Sequence, residues 1–91
     1  MEDKYRWKEE KIRDNEVTIW ALELNNLRIV VHRHINFDKN DWACSCYNLK
    51  VECKLLRSKN IDNAKMEAIN YLTTLSRKIY KELLSYPINL D

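Results

Sequence analysis

Residues 60–86 read NIDNAKMEAINYLTTLSRKIYKELLSY, and their apolar residues recur with the period of an α-helix. At 100° per residue, one set lies within about 60° of a single line, the spacing that lets a helix bury one face. The set consists of Ile61, Ala64, Ala68, Leu72, Leu75, Ile79, Leu83 and Tyr86. The pattern predicts one long amphipathic helix whose apolar face belongs to the core.

Both ends of this predicted helix carry boundary signals. Asn60 can cap the first turn because its side-chain oxygen accepts hydrogen bonds from free backbone amides, and Asp62 suits the positive end of the helix dipole. Pro87 cannot continue the backbone hydrogen bonding at the other end. The last turns also carry three basic residues, Arg77, Lys78 and Lys81. The sequence therefore predicts a helix over residues 60–86.

A second apolar line runs along one flank of the helix, roughly 80–140° from the first. Its members are Met66, Ile69, Tyr80 and Leu84. This flank is too apolar for an ordinary solvated face, and exposed apolar patches usually mark interfaces. We expect these residues to bind a protein partner, or a second copy of the chain in a homodimer.

Two segments rich in large apolar residues, 17–24 and 27–35, precede the helix. The two-residue link Asn25-Asn26 between them predicts a tight β-hairpin with a turn of the primed type. Because the chain contains no glycine, asparagine and aspartate are expected to supply the left-handed backbone that turns often need.

The short link also predicts the pairing of the two strands. The inner pairs are Leu24 with Leu27, Leu22 with Ile29, and Trp20 with Val31. The outer pairs are Glu23 with Arg28, Ala21 with Val30, Ile19 with His32, and Val17 with His34. Glu23 and Arg28 carry opposite charges, which favours this register. The inner pairs form an apolar wall against which the helix can pack.

The remaining segments complete the expected sheet. Residues 42–47 alternate like a third strand, and residues 49–55 either extend it past a bulge near Asn48 or form a fourth strand. Residues 1–16 fit either a short helix or a strand, because alternating aromatic residues compete there with good helix formers. We expect this N-terminal segment to cover apolar surface.

These elements predict a single α+β domain over residues 1–91. Its antiparallel sheet, of three or four strands, occupies residues 17–56, and the long C-terminal helix packs on one face of that sheet. A chain of 91 residues has room for one such core.

Composition narrows the class of protein. The net charge of +2 is below that typical of proteins that mainly bind phosphate backbones. Residues 1–11 lack the apolar core of a secretory signal, and an odd count of three cysteines fits free thiols, so we expect a cytoplasmic protein. No apolar run approaches the ~20 residues of a membrane span. The absence of glycine excludes the glycine-rich loops that cradle phosphates.

A metal site is the sharpest chemical hypothesis that the sequence offers. Histidine and cysteine are zinc ligands, and alternate residues share one side of a strand. The candidates are His32, His34, Cys44 and Cys46. If Trp42 lies in the core beside Trp20, both cysteines point inward and both histidines outward, and we favour this arrangement. We therefore expect no metal, no cofactor and no catalytic residue, with the thiols packed as small apolar groups.

A nucleic-acid-binding role rests on a resemblance. If residues 4–13 are helical, the order of elements resembles the double-stranded RNA-binding domain, and residues 58–68, with Lys59 and Lys65, are similar to the start of that family's last helix. The chain departs from the family because Asp62 interrupts the lysines and Asn25-Asn26 replaces a glycine-proline-histidine loop. The resemblance implies a nucleic-acid-binding edge. Its candidate residues are Arg28, His32, His34, Arg57, Lys59 and Lys65.

In size and element order, the chain also resembles small proteins of phages and other mobile elements that combine a β-meander with one helix. Some of those proteins inhibit host defence nucleases. The resemblance implies a non-enzymatic protein-binding or anti-defence role. We therefore expect a macromolecular partner, a protein ahead of a nucleic acid, and no membrane.

Overall fold

The computed structural model describes residues 6–12, 17–33 and 41–86. Within these residues the fold is α+β, with five antiparallel strands in one open sheet and one long helix after them. The strands are β1 Trp7–Ile12, β2 Val17–Glu23, β3 Arg28–His32, β4 Ala43–Cys46 and β5 Val51–Leu55, and the helix is α1 Ile61–Ser85. Neighbouring strands in the chain are neighbours in the sheet. The predicted class is confirmed, but the sheet has more strands than the three or four expected.

One additional strand comes from the N-terminal segment, for which the sequence left helix and strand open. β1 pairs with β2 from Trp7 opposite Leu22 to Ile12 opposite Val17. Sheet pairing outweighs the helix propensity of the charged residues here, as tertiary context often does. A helix spanning residues 4–13, on which the double-stranded RNA-binding order of elements depended, is therefore excluded by β1.

The fourth strand, which the sequence left open over residues 49–55, is β5. A short 3-10 helix, Tyr47–Leu49, separates it from β4, and Lys50 then adopts a left-handed backbone with φ 59°. Among the described residues Cys53 is also left-handed, with φ 50°, in the part of the sheet where the register of β4 and β5 shifts. The expectation that asparagine or aspartate would supply this conformation was wrong for the turns that the structure describes. The short helix, rather than a bulge near Asn48, ends β4.

The predicted hairpin register is confirmed. Trp20 pairs with Val31, Leu22 with Ile29, and Glu23 with Arg28. At the tip, the Leu24 backbone N–H donates to the Leu27 carbonyl at 2.8 Å. The expected pair of Val17 and His34 lies outside the described residues. The register that follows from the Asn25-Asn26 link thus places the apolar wall on the face of the sheet against which the helix packs.

The core lies between this wall and the first half of α1. Its buried members are Leu22, Ile29, Val31, Trp42, Cys44, Cys46, Val51, Leu56, Ala64, Ala68 and Leu72. Trp42 satisfies its buried ring nitrogen by donating to the Lys59 carbonyl at 3.0 Å. The small residues Ala64 and Ala68 let the helix backbone approach the sheet closely, which is the basis of dense packing.

The connection from β5 to α1 is held by one carboxylate. Glu67 accepts the backbone N–H of Arg57 at 2.8 Å and, from Ser58, both the backbone N–H at 2.9 Å and the hydroxyl at 2.8 Å. Desolvation alone would raise the pKa of Glu67, but these hydrogen bonds outweigh it and lower the pKa below its ordinary value. Asn60 then caps the helix by accepting from the Asp62 backbone N–H at 2.8 Å.

The helix boundaries agree with the prediction, but its core face is shorter than expected. Ile79, Leu83 and Tyr86 were expected in the core, yet they are 37%, 67% and 71% exposed. The reason is length. The 25 residues of α1 span about 37 Å, whereas strands of four to seven residues span about 13–23 Å and five strands lie across about 19 Å. The helix must therefore extend past the sheet.

Candidate protein-binding surface

An apolar groove of about 400 Å³ lies between the tip of the β2–β3 hairpin and the middle of α1. The hairpin contributes Leu22, Leu24, Leu27 and Ile29 to its walls. The helix contributes Ile69, Leu72, Thr73, Ser76, Arg77 and Tyr80. Hydrocarbon thus lines most of the groove, and polar groups lie along the helix side.

The sequence explains why this space is unfilled. Along the helix, Leu72 is buried in the core, but the residue one turn later is Ser76. Thr73 and Ser76 present short side chains to the groove, where a leucine would have filled the gap. Leu24, 43% exposed, lies at the hairpin tip and lines the groove on the side opposite the helix. Short helix residues opposite a leucine-rich turn therefore leave an open apolar cleft.

The groove continues into the part of α1 that extends past the sheet, which we call the helix end, residues 77–86. Its large apolar side chains are Ile79, Tyr80, Leu83, Leu84 and Tyr86, exposed by 37%, 62%, 67%, 67% and 71%. They occupy an arc of about 160° on the helix. Tyr80 belongs to both the groove and this arc, so the two form one continuous apolar surface.

The structure brings together part of the predicted interface. Ile69 and Tyr80 both line the groove, and Leu84 lies one turn beyond Tyr80 on the helix end. Met66 is 64% exposed on the same flank but lies outside the groove. Ile69 also packs against the core, so its role is shared between core and groove.

Sequence reasoning missed two groups of residues on this surface. Leu24 and Leu27 were expected only as an inner hairpin pair, and Ile79, Leu83 and Tyr86 only as core. A length comparison between helix and strands would have identified the second group, because no strand is long enough to cover the last turns. The position of the leucine pair at the very tip of the hairpin was the available signal for the first.

The residues proposed for a nucleic-acid edge do not share one surface in the structure. Arg28 is on the sheet face away from α1, where it pairs with Glu23 and, at 3.2 Å, with Glu10. Its hydrogen bond with Glu23 is the main cause that raises the pKa of Arg28. Lys65 is on the helix side, with its ammonium 3.7 Å from the centre of the Trp20 ring. Cation–π contact of this kind holds a lysine against the protein.

Three further candidates of that set have different surroundings. Lys59 pairs with Asp41. Arg57 has an exposed side chain, while its backbone N–H is bound by Glu67. His34 lies outside the described residues.

The three candidate zinc ligands that the structure describes are divided between the two faces of the sheet. Cys44 and Cys46 are fully buried on the helix side, and burial raises the pKa of Cys44 to about 12, with a further contribution from Cys46. This thiol is therefore protonated at neutral pH and is not a nucleophile. His32 is on the other face, so the predicted split is confirmed for the three residues that the structure describes. Within the described ranges, histidine, cysteine and acidic side chains form no cluster suited to a metal ion.

His32 forms a hydrogen-bonded pair with Ser45. Its Nε2 lies 2.8 Å from the Ser45 Oγ, and its Nδ1 lies 3.1 Å from the Arg33 carbonyl. Ser45 also accepts the Cys53 backbone N–H at 3.0 Å. The serine is 4% exposed, so a substrate has no access to its hydroxyl. The pair satisfies buried polar groups beside the strained residue Cys53.

Comparison with known proteins does not help to interpret this surface. No protein-family model, curated protein or solved structure matches the chain. Across the described residues, the helix of the fold lacks the sustained apolar length that crossing a membrane requires. The functional interpretation therefore depends on the groove and the helix end.

Proposed function

We propose that this chain is a non-enzymatic protein-binding module whose partner docks in the groove and along the helix end. The observation that carries the proposal is the continuous apolar surface that starts at Leu24 and Ile69 and continues through Tyr80 to Leu84. Soluble monomers rarely expose large contiguous apolar patches, and such patches commonly mark interaction sites.

The energetic reason is the hydrophobic effect. Covering a large apolar side chain stabilises a complex by on the order of 2 kcal/mol. Tyr80, Leu83 and Leu84 are each more than half exposed, so a partner that covers all three gains enough to offset much of the entropy lost on association. Tyrosine is also among the residues most often found at the energetic centre of interfaces.

The shape of the surface favours recognition of a helix or short segment. A groove between a helix and a hairpin accepts side chains spaced at i, i+3, i+4 and i+7, the arrangement in which an amphipathic helix binds. The helix end then extends the contact beyond the groove. An inhibitory role against a host nuclease, and a cytoplasmic location, remain predictions within this proposal.

A matched set of variants tests the proposal. Tyr80→Glu and Leu84→Glu place a charge on the apolar surface, and Thr74→Glu places the same charge on the exposed polar side of α1. We expect all three to fold, as judged by circular dichroism, and a protein co-purified from the native cell to be lost from the first two only. Nuclease treatment should leave that protein bound.

Two results would contradict the proposal. One is equal retention of the protein by all three variants, which would place its binding site elsewhere. The other is loss of the protein after nuclease treatment, which would favour a nucleic-acid-binding role.

A further inference from the structure

The apolar surface has a marked excess of positive charge. Residues 77–86 contain three cations, Arg77, Lys78 and Lys81, and one anion, Glu82, giving 3 − 1 = +2. Among the residues that line the groove, Arg77 is the charged one. A partner that enters the groove therefore meets positive charge, and the described residues of its walls include no carboxylate.

Three cations elsewhere in the described residues are held in ion pairs. Arg28, Lys59 and Lys65 each have a carboxylate within ion-pair distance. Among the ion pairs of the described residues, none involves Arg77, Lys78 or Lys81. Within the described residues, the three cations of the helix end therefore make no ion pair, in contrast to Arg28, Lys59 and Lys65.

Two of these cations border the apolar arc. Measured around the helix axis, Arg77 lies about 20° beyond Leu84, and Lys81 lies about 60° beyond it. Lys78 lies about 120° from Leu84. Arg77 and Lys81 form the cationic rim. They are separated by one turn, and like charges at this spacing repel by a few tenths of a kcal/mol. A carboxylate placed between them would remove the repulsion and bind both.

We propose that the segment docked on this surface is acidic and amphipathic, with large apolar side chains in the groove and aspartate or glutamate against the cationic rim. This inference rests on the proposed function. Arginine binds a carboxylate through two parallel hydrogen bonds, so Arg77 fixes the position of the segment while Lys81 adds attraction.

A second copy of this chain fits the surface less well. In a two-fold antiparallel pairing, each patch meets the same patch of its copy. The cationic rim of one helix end would then face the cationic rim of the other. The same repulsion is removed when the partner carries the opposite charge, so an acidic protein segment is favoured over self-association.

A membrane surface also fits less well. An anionic bilayer attracts a basic amphipathic helix that lies flat in its interface. Here Leu24 and Leu27 of the hairpin form the opposite wall of the groove beside Arg77, and a flat bilayer cannot enter that cleft. A narrow apolar segment can.

Two synthetic helical peptides of about 15 residues test the inference. They share leucines at i, i+3, i+4 and i+7, and one carries glutamates where the other carries lysines. Binding to the full chain is measured by isothermal titration calorimetry. We expect the acidic peptide to bind on the order of tenfold more tightly than the basic one, a difference of about 1.4 kcal/mol. The double variant Arg77→Glu, Lys81→Glu should reverse the preference, while Lys78→Glu should leave its direction unchanged.

The outcomes separate this inference from the proposed function. Equal binding of both peptides, abolished by Tyr80→Glu, would overturn the acidic preference and leave the protein-binding site in place. Failure of both peptides to bind would overturn the inference and count against the groove as a docking site. Binding to phosphatidylserine vesicles in place of the peptides, or sedimentation as a stable dimer that excludes them, would assign the surface to a membrane or to a second copy.

Discussion

The two halves of α1 carry similar apolar patterns in different surroundings. In residues 61–75, Ala68 and Leu72 are buried against the sheet, whereas in residues 76–85, Leu83 and Leu84 are each 67% exposed. Helical periodicity alone does not distinguish them, because it shows only that a face is apolar. What lies opposite each half decides whether that face becomes core or interface. A stripe that continues beyond the sheet is therefore a reason to look for a partner.

The largest expected difference between the halves is in packing energy. Leu72→Ala removes a buried side chain and should lower the free energy of unfolding by about 2–5 kcal/mol. Leu83→Ala, at a mostly exposed position, should change it by less than about 0.5 kcal/mol. Urea denaturation followed by circular dichroism measures both. Equal destabilisation by the two substitutions would show that the helix end is packed.

A smaller difference is expected between two glutamates. Glu67 in the first half accepts several hydrogen bonds from residues 57–58, and Glu67→Gln should lower the free energy of unfolding by about 1–3 kcal/mol. Glu82→Gln on the exposed helix end should have little effect. If Glu82→Gln lowered the free energy of unfolding as much as Glu67→Gln, the expected difference between the two halves of the helix would be contradicted.

The same two glutamates should also differ in how they affect the pH dependence of stability. Because folding lowers the pKa of Glu67, its stabilising contribution is complete above the unfolded value, near 4.5, and is lost as pH falls through the lower folded value. Stability of the unmodified chain should therefore fall with acidification in that range. This fall in stability should be shallower in Glu67→Gln, whereas Glu82→Gln should show the same fall as the unmodified chain. Urea midpoints measured between about pH 3 and pH 6, roughly 1.5 units either side of that value, make the comparison.

The smallest expected difference is between the two caps. Asn60 accepts two backbone amides through its side chain, and Asn60→Ala should lower stability by about 1 kcal/mol. Tyr86 contributes only its backbone N–H, which donates to the Leu83 carbonyl at 3.2 Å, so Tyr86→Ala should be close to neutral. Thermal melts of the two variants make the comparison. A larger loss from Tyr86→Ala would mean that its ring is packed.

Much of the fold could be predicted because local signals agreed with tertiary structure. Asn25-Asn26 predicted the hairpin register, and the signals at Asn60 and Pro87 predicted where the helix begins and ends. The N-terminal segment could not be assigned because alternation and helix propensity conflicted, and only pairing with β2 resolved them. Because the sequence did not assign β1, the ion pair between Glu10 and Arg28 could not be predicted either.

The candidate site was less predictable than the fold. Ile69, Tyr80 and Leu84 stood out because their flank was too apolar for a solvated helix. The groove depends on how Leu24 and Leu27 face the short residues Thr73 and Ser76, which is a relation between distant parts of the chain. Periodicity within one helix carries no information about that relation.

Hydrogen exchange of the backbone amides along α1 tests the central claim most directly. Amides in the packed half should be protected nearly to the level of global unfolding, and those of residues 79–85 should exchange through local opening, because few buried contacts hold them. Binding of a partner should raise the protection of the Tyr80, Leu83 and Leu84 amides from exchange. Uniform strong protection from Ala64 to Ser85 in the chain alone would contradict the account, because the helix end would then already be packed.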